Sequence, residues 1–148
     1  MRYEKMNSVN SEIKRFAHSV GQNWYHVVIV PKGRFPVFQW KETKEVAEKA
    51  FDEVCKKHNI DLFTKEVMPD HVHLFVSCPP DYSIRKLFRI LKGGSSFLIR
   101  KNYPSLKKYP HLWNRGTMYR SIGNVSAETV KHYIEKSNQW SRTRQTTL

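Results

Sequence analysis

The chain has 148 residues, enough for one domain spanning 1–148 with an ordinary hydrophobic core that needs neither disulfides nor a structural metal. Its 26 Lys and Arg stand against 13 Asp and Glu, and the formal charge of +13 exceeds what solubility requires, which points to a polyanionic partner. Cys55 and Cys78 lack any paired-ligand spacing, the polar stretch Met1 to Val20 has no apolar leader, and no segment has the apolar length of a membrane span. The expectation is a cytoplasmic protein with reduced thiols and no membrane association.

After an N-terminal extension (1–20), Asn23 to Val30 is rich in aromatic and β-branched residues and runs into Pro31-Lys32-Gly33, so it reads as a strand closed by a turn. Val46, Ala47, Ala50, Phe51, Val54 and Cys55 recur at spacings of three and four and predict a helix over Lys41 to His58. Ile60 to Val67 is a second strand, and Met68-Pro69-Asp70 turns it directly into a third, His71 to Cys78. From Ser83 to about Lys101 a second helix puts Ile84, Leu87, Phe88, Leu91 and Leu98 on the core side. Gly93-Gly94 breaks its propensity at about 1 kcal/mol per glycine, for one of two reasons: close helix packing or close approach of a ligand backbone. A basic loop leads to a last strand, Thr117 to Ile122, a turn at Gly123-Asn124, and a third helix from Ala127 to about Gln139 with Ser126 as its N-cap. The polar tail 141–148 is expected to fray. The order βαββαβα predicts an α+β, ferredoxin-like (RRM-like) antiparallel sheet with two helices on one face and an extra C-terminal helix.

The charge is concentrated. From Tyr82 to Ala127 there is no Asp or Glu, yet Arg85, Lys86, Arg89, Lys92, Arg100, Lys101, Lys107, Lys108, Arg115 and Arg120 all fall there. Phe97, Tyr103, Tyr109, Trp113 and Tyr119 are interleaved with them, a pattern suited to a phosphate backbone flanked by stacked, unpaired bases. Arg85, Arg89 and Lys92 lie within one or two helical turns of one another and are expected to contact phosphates.

The chemistry centres on Pro69-Asp70-His71-Val72-His73-Leu74-Phe75-Val76. Strand alternation sends His71 and His73 to one face and Val72, Leu74 and Val76 to the other. Two imidazoles one step apart can share a metal ion, and a metal so held can bind an oxygen of a phosphodiester. Taken alone, such a pair is more often a hydrogen-bonded feature of a sheet, and Tyr133 on the last helix is by spacing a core tyrosine. Their coincidence with the basic midsection favours chemistry. His26, His58, His111 and His132 are expected to have no catalytic role.

Tyr25-His26-Val27-Val28, Val67-Met68-Pro69-Asp70-His71-Val72-His73-Leu74, Leu91-Lys92-Gly93-Gly94-Ser95-Ser96, Leu112-Trp113-Asn114, Val125-Ser126 and Lys131-His132-Tyr133-Ile134-Glu135 together resemble the HUH single-tyrosine transposases of small insertion sequences, the 200/605 type, and their domesticated relatives that act on repeated palindromes. The resemblance implies nicking and rejoining of single-stranded DNA at subterminal hairpins by a homodimer. It implies Tyr133 as the nucleophile forming a 5'-phosphotyrosine, with His71 and His73 holding a divalent metal, Mg²⁺ or Mn²⁺. Where family members commonly carry a glutamine four residues after the tyrosine, this chain has Ser137, which leaves the third ligand open between Ser137, Asn138 and water. The rival reading is a non-catalytic single-stranded nucleic-acid-binding protein with the same fold, although the chain lacks the RNA-binding signature of such modules.

Overall fold

The computed structural model describes residues 23–123, together with the backbone of a short ladder in which Lys14–Arg15 (β1) pairs with Val20–Gly21 (β2). The predicted elements follow in order: β3 (Trp24–Ile29), α1 (Lys41–Lys57), β4 (Asp61–Met68), β5 (His71–Ser77), α2 (Ile84–Asn102) and β6 (Met118–Ile122). All boundaries lie within a residue or so of the sequence reading. The C-terminal helix expected over 127–139, with Tyr133, Ser137 and Asn138, lies outside the described residues, as does the tail.

The four main strands form one antiparallel sheet in the order β4-β5-β3-β6, the ferredoxin-like arrangement. Val27 and Ile29 of β3 and Val72, Leu74 and Val76 of β5 project to one face. There they join Ala47, Ala50 and Phe51 of α1 and Leu87, Leu91 and Ile99 of α2 in a single buried cluster. Each fully buried side chain of this size contributes about 1.5–3 kcal/mol of transfer free energy, so this face holds the two helices on the sheet. Ser83 caps α2 as its hydroxyl accepts from the Lys86 amide at 3.0 Å. The glycine pair divides its roles: a Cβ on Gly94 would sit 2.8 Å from Val54 Cγ2, so Gly94 lets α2 close on α1, whereas a Cβ on Gly93 meets nothing within 4 Å.

The basic loop is tied to the fold at several points. Lys32 and Asn114 donate backbone hydrogen bonds across to Leu112 and Val30, both at 2.8 Å, and the Trp113 indole donates to Ser95 Oγ on α2 at 3.0 Å. Leu112-Trp113-Asn114 and Ser95 are thus joined physically, although the sequence separates them.

Candidate functional site

β5 is buried along its whole length, so the face opposite the helices is also enclosed. Met68 pairs with His71 across a two-residue turn, Pro69-Asp70, which sets His71 as the first residue of β5 and His73 two residues on, on the same side. The rings of His71 and His73 lie edge to face with centroids 4.8 Å apart, His71 at 7% exposure and His73 at 1%. The sequence-predicted histidine pair is therefore adjacent in space and shielded from bulk water.

Each ring is oriented by a neighbour. Nδ1–H of His71 donates to Asp70 Oδ1 at 2.7 Å. Asp70 is in turn engaged by Arg34, whose Nη2 donates to Oδ2 at 3.1 Å. Burial works against the Asp70 carboxylate, but the hydrogen bond and charge of His71 and then of Arg34 outweigh it and hold the carboxyl below its usual range. Arg34 reaches Asp70 from a backbone in the left-handed region (φ 55), following Gly33 at φ 65. For a non-glycine residue that conformation costs of order 1–3 kcal/mol, and the ion pair and the Arg34 amide to Pro31 carbonyl bond of 2.8 Å hold it there. His73 Nδ1 lies 3.2 Å from His26 Nε2, and the two rings stack at 5.4 Å. Burial, then the nearby His73 and Arg120, push His26 down to about 3, so its imidazole stays uncharged at neutral pH.

His26, expected from the sequence to have no catalytic role, thus stands in contact with the pair through His73. The signal was long-range: the antiparallel register places Val28 opposite His73 and His26 opposite Phe75, so His26 meets His73 on the diagonal. Rings continue along the same face. Phe75 stacks near His26 at 6.2 Å and near Trp24 at 6.3 Å, and Phe63 stacks on Trp24 at 3.7 Å. A register shift between Leu62 and Thr64 marks a bulge at Phe63, which the hydrophobic pattern of β4 did not reveal.

The pair fits a divalent metal in chemical type. Two imidazoles on one strand, one with a carboxylate at its Nδ1, form the usual outer arrangement of a histidine metal site, in which the bonded nitrogen leaves Nε2 for the ion. Among the described residues no group of three or more His, Cys, Asp or Glu converges as a complete ligand set. A metal held by the pair would need any third ligand from outside them or from solvent.

The expected phosphate contacts separate into two kinds. Arg85 and Arg89 are exposed on α2. Lys92 is partly buried and engaged within the chain: its ammonium donates to the Asn114 carbonyl at 2.6 Å, the Arg115 carbonyl at 3.0 Å and Thr117 Oγ1 at 3.1 Å. Burial lowers its pKa. Arg100 likewise donates to the Tyr109 carbonyl at 3.0 Å. Part of the uncompensated charge thus holds the basic loop in place.

Fold and cluster first define a class: a ferredoxin-like α+β protein whose two central strands carry a buried, oriented imidazole group beside a strongly basic helix and loop. Residues 19–137 match the family model described as "Transposase IS200 like". The chain belongs to this family of transposases. It is 29% identical over 129 residues to the transposase for insertion sequence element IS200 of Salmonella typhimurium, covering 83% of this chain and 84% of the relative. It is 30% identical over 133 residues to the ISDra2 transposase TnpA of Deinococcus radiodurans, covering 86% and 92%. A crystal structure of a transposase candidate from Deinococcus radiodurans superposes with a TM-score of 0.69 at 26% identity, over 84% of this chain and 97% of that one. A REP-associated tyrosine transposase bound to a REP hairpin shares the fold, with a TM-score of 0.52 at 18% identity over 83% and 67%. No helix among the described residues is long and apolar enough to cross a membrane.

Proposed function

We propose that this transposase binds DNA hairpins at the ends of an element and cuts and rejoins the adjoining single strand, with Tyr133 as nucleophile and His71 and His73 as metal ligands. The observation that carries the reading is the oriented pair itself: two buried imidazoles, each fixed at Nδ1, on one rigid strand. Asp70 and Arg34 keep His71 in one ring orientation, and His26 does the same for His73. A divalent ion held there, Mg²⁺ or Mn²⁺, supplies Lewis-acid polarisation of a nonbridging phosphate oxygen. The phenol oxygen of Tyr133 forms a bond to phosphorus as it gives up its proton. The bond from phosphorus to the 3'-oxygen breaks, leaving a free 3'-hydroxyl and a 5'-phosphotyrosine. Attack by a second 3'-hydroxyl reverses the step and needs no high-energy cofactor, which suits strand transfer better than degradation.

The family's homodimer and a cytoplasmic site of action belong to the same proposal. A denaturing gel tests its core: labelled single-stranded hairpins incubated with Mn²⁺ yield a covalent protein-DNA adduct with wild type and none with Tyr133→Phe. Hairpin binding without any adduct would support a non-catalytic binder instead. Mixing His71→Ala with Tyr133→Phe chains tests a site shared across the dimer, and no recovery of cleavage in the mixture would reject sharing.

A further inference from the structure

Three local features of α2 have no explanation in its own packing, and they lie on one ridge. Arg85, Arg89, Gly93, Phe97 and Lys101 follow one another at four-residue steps, the row that forms a continuous ridge on a helix. Arg85 and Arg89 are like charges one turn apart, and no carboxylate of the described residues pairs with either. Gly93 weakens an exposed stretch of helix with no packing reason, since a Cβ there meets nothing within 4 Å, whereas its neighbour Gly94 is explained by Val54. Phe97 leaves 66% of its surface in water, the most exposed large apolar side chain among the described residues, with the Lys101 ammonium 6.0 Å from its ring. Sequences break local rules together where function demands it.

We propose that this ridge is the track on which the DNA backbone lies where the hairpin stem meets its single-stranded flank. The assignment rests on the hairpin-binding reading above. Arg85 and Arg89 take phosphates of the stem as forked donors. Gly93, without a Cβ, lets the strand's backbone close on the helix. Phe97 offers a face to the first unpaired base, and Lys101 follows the next phosphate. The ridge rises about 24 Å from Arg85 to Lys101 at 1.5 Å per residue, the span of about seven base steps at 3.4 Å per step. Cations, a gap and an aromatic face in that order suit a nucleic acid better than a second copy of this chain, which carries the same positive charge.

Gly93→Ala decides the matter, because stability and binding should move in opposite directions. Alanine is the better helix former and nothing obstructs it, so the variant should melt at a higher temperature than wild type. On a fluorescein-labelled DNA hairpin with a single-stranded flank, its affinity should fall by about tenfold, equivalent to about 1.4 kcal/mol. Phe97→Ala should weaken binding of the same probe but not of a blunt hairpin lacking the flank. Arg85→Ala with Arg89→Ala should lower the salt slope of binding by about two. Wild-type affinity in a Gly93→Ala protein with a raised melting temperature would overturn the ridge and leave hairpin binding standing. Failure of the wild-type protein to bind any hairpin would overturn both. Dissociation of a dimer by Phe97→Ala at unchanged DNA affinity would make the ridge a protein interface and also overturn the proposal.

Discussion

Lys92→Met separates a structural cation from a DNA contact. The substitution keeps most of the apolar stem and removes the ammonium, whose three protons are matched by the Asn114 carbonyl at 2.6 Å, the Arg115 carbonyl at 3.0 Å and Thr117 Oγ1 at 3.1 Å. Hydrogen bonds to a charged donor contribute about 1.5–3 kcal/mol, and the released carbonyls lie at the surface, where water replaces part of the loss. A net destabilisation of about 2–3 kcal/mol is expected, which for a domain of this size lowers the melting temperature by about 4–12 °C. Thermal unfolding followed by circular dichroism reads that number. Titration of hairpin binding against salt, at a temperature where both proteins are folded, reads the other: the slope should stay at its wild-type value, whereas Arg89→Ala should lower it by about one. A Lys92→Met protein with unchanged melting temperature and a slope reduced by one would refute this account of the loop and restore Lys92 as a phosphate ligand.

Gly94→Ala should destabilise by about 1–3 kcal/mol, because its methyl would fall 2.8 Å from Val54 Cγ2, and pairing it with Val54→Ala should recover part of the loss in urea unfolding. Asp70→Asn should weaken Mn²⁺ binding by about 10–100-fold in a calorimetric or paramagnetic-resonance titration, since it removes the carboxylate that orients His71; wild-type affinity would show that the ring is fixed by something else. The Cys55 thiol, buried in the core and pushed up to about 12 by that burial, should resist iodoacetamide in the native protein at pH 8 and react only on unfolding.

The fold was legible because each element carries its own local signal. The apolar spacing of Val46 to Cys55 on α1 and of Ile84 to Leu98 on α2, and the Pro69-Asp70 turn, each act within a few residues. The histidine pair was legible for the same reason, since His71 and His73 belong to one strand. What the sequence hid is what joins distant strands and loops. His26 touches His73 only because β3 and β5 pair in one register, and Arg34 reaches Asp70 only because the chain turns through two left-handed residues. Lys92 looked like its neighbours Arg85 and Arg89 on the helix. Its different fate is set by a loop more than twenty positions downstream, which composition cannot locate.

The strand order also sets a sequence of events during synthesis. Once residues up to Ser77 have left the ribosome, β3, β4 and β5 can pair and the histidine cluster is complete in composition, but the outer edge of β3 is open. β6, which closes it by pairing Trp24 to Val28 with Ile122 to Met118, arrives only some forty residues later. At about 5–20 residues per second the nascent chain carries an unpaired, largely apolar strand edge for several seconds, a period in which such an edge can recruit another chain. Premature termination between Ser77 and Met118 would make that exposure permanent, so truncated products of this gene should aggregate or be degraded rather than accumulate as folded fragments holding the histidine pair.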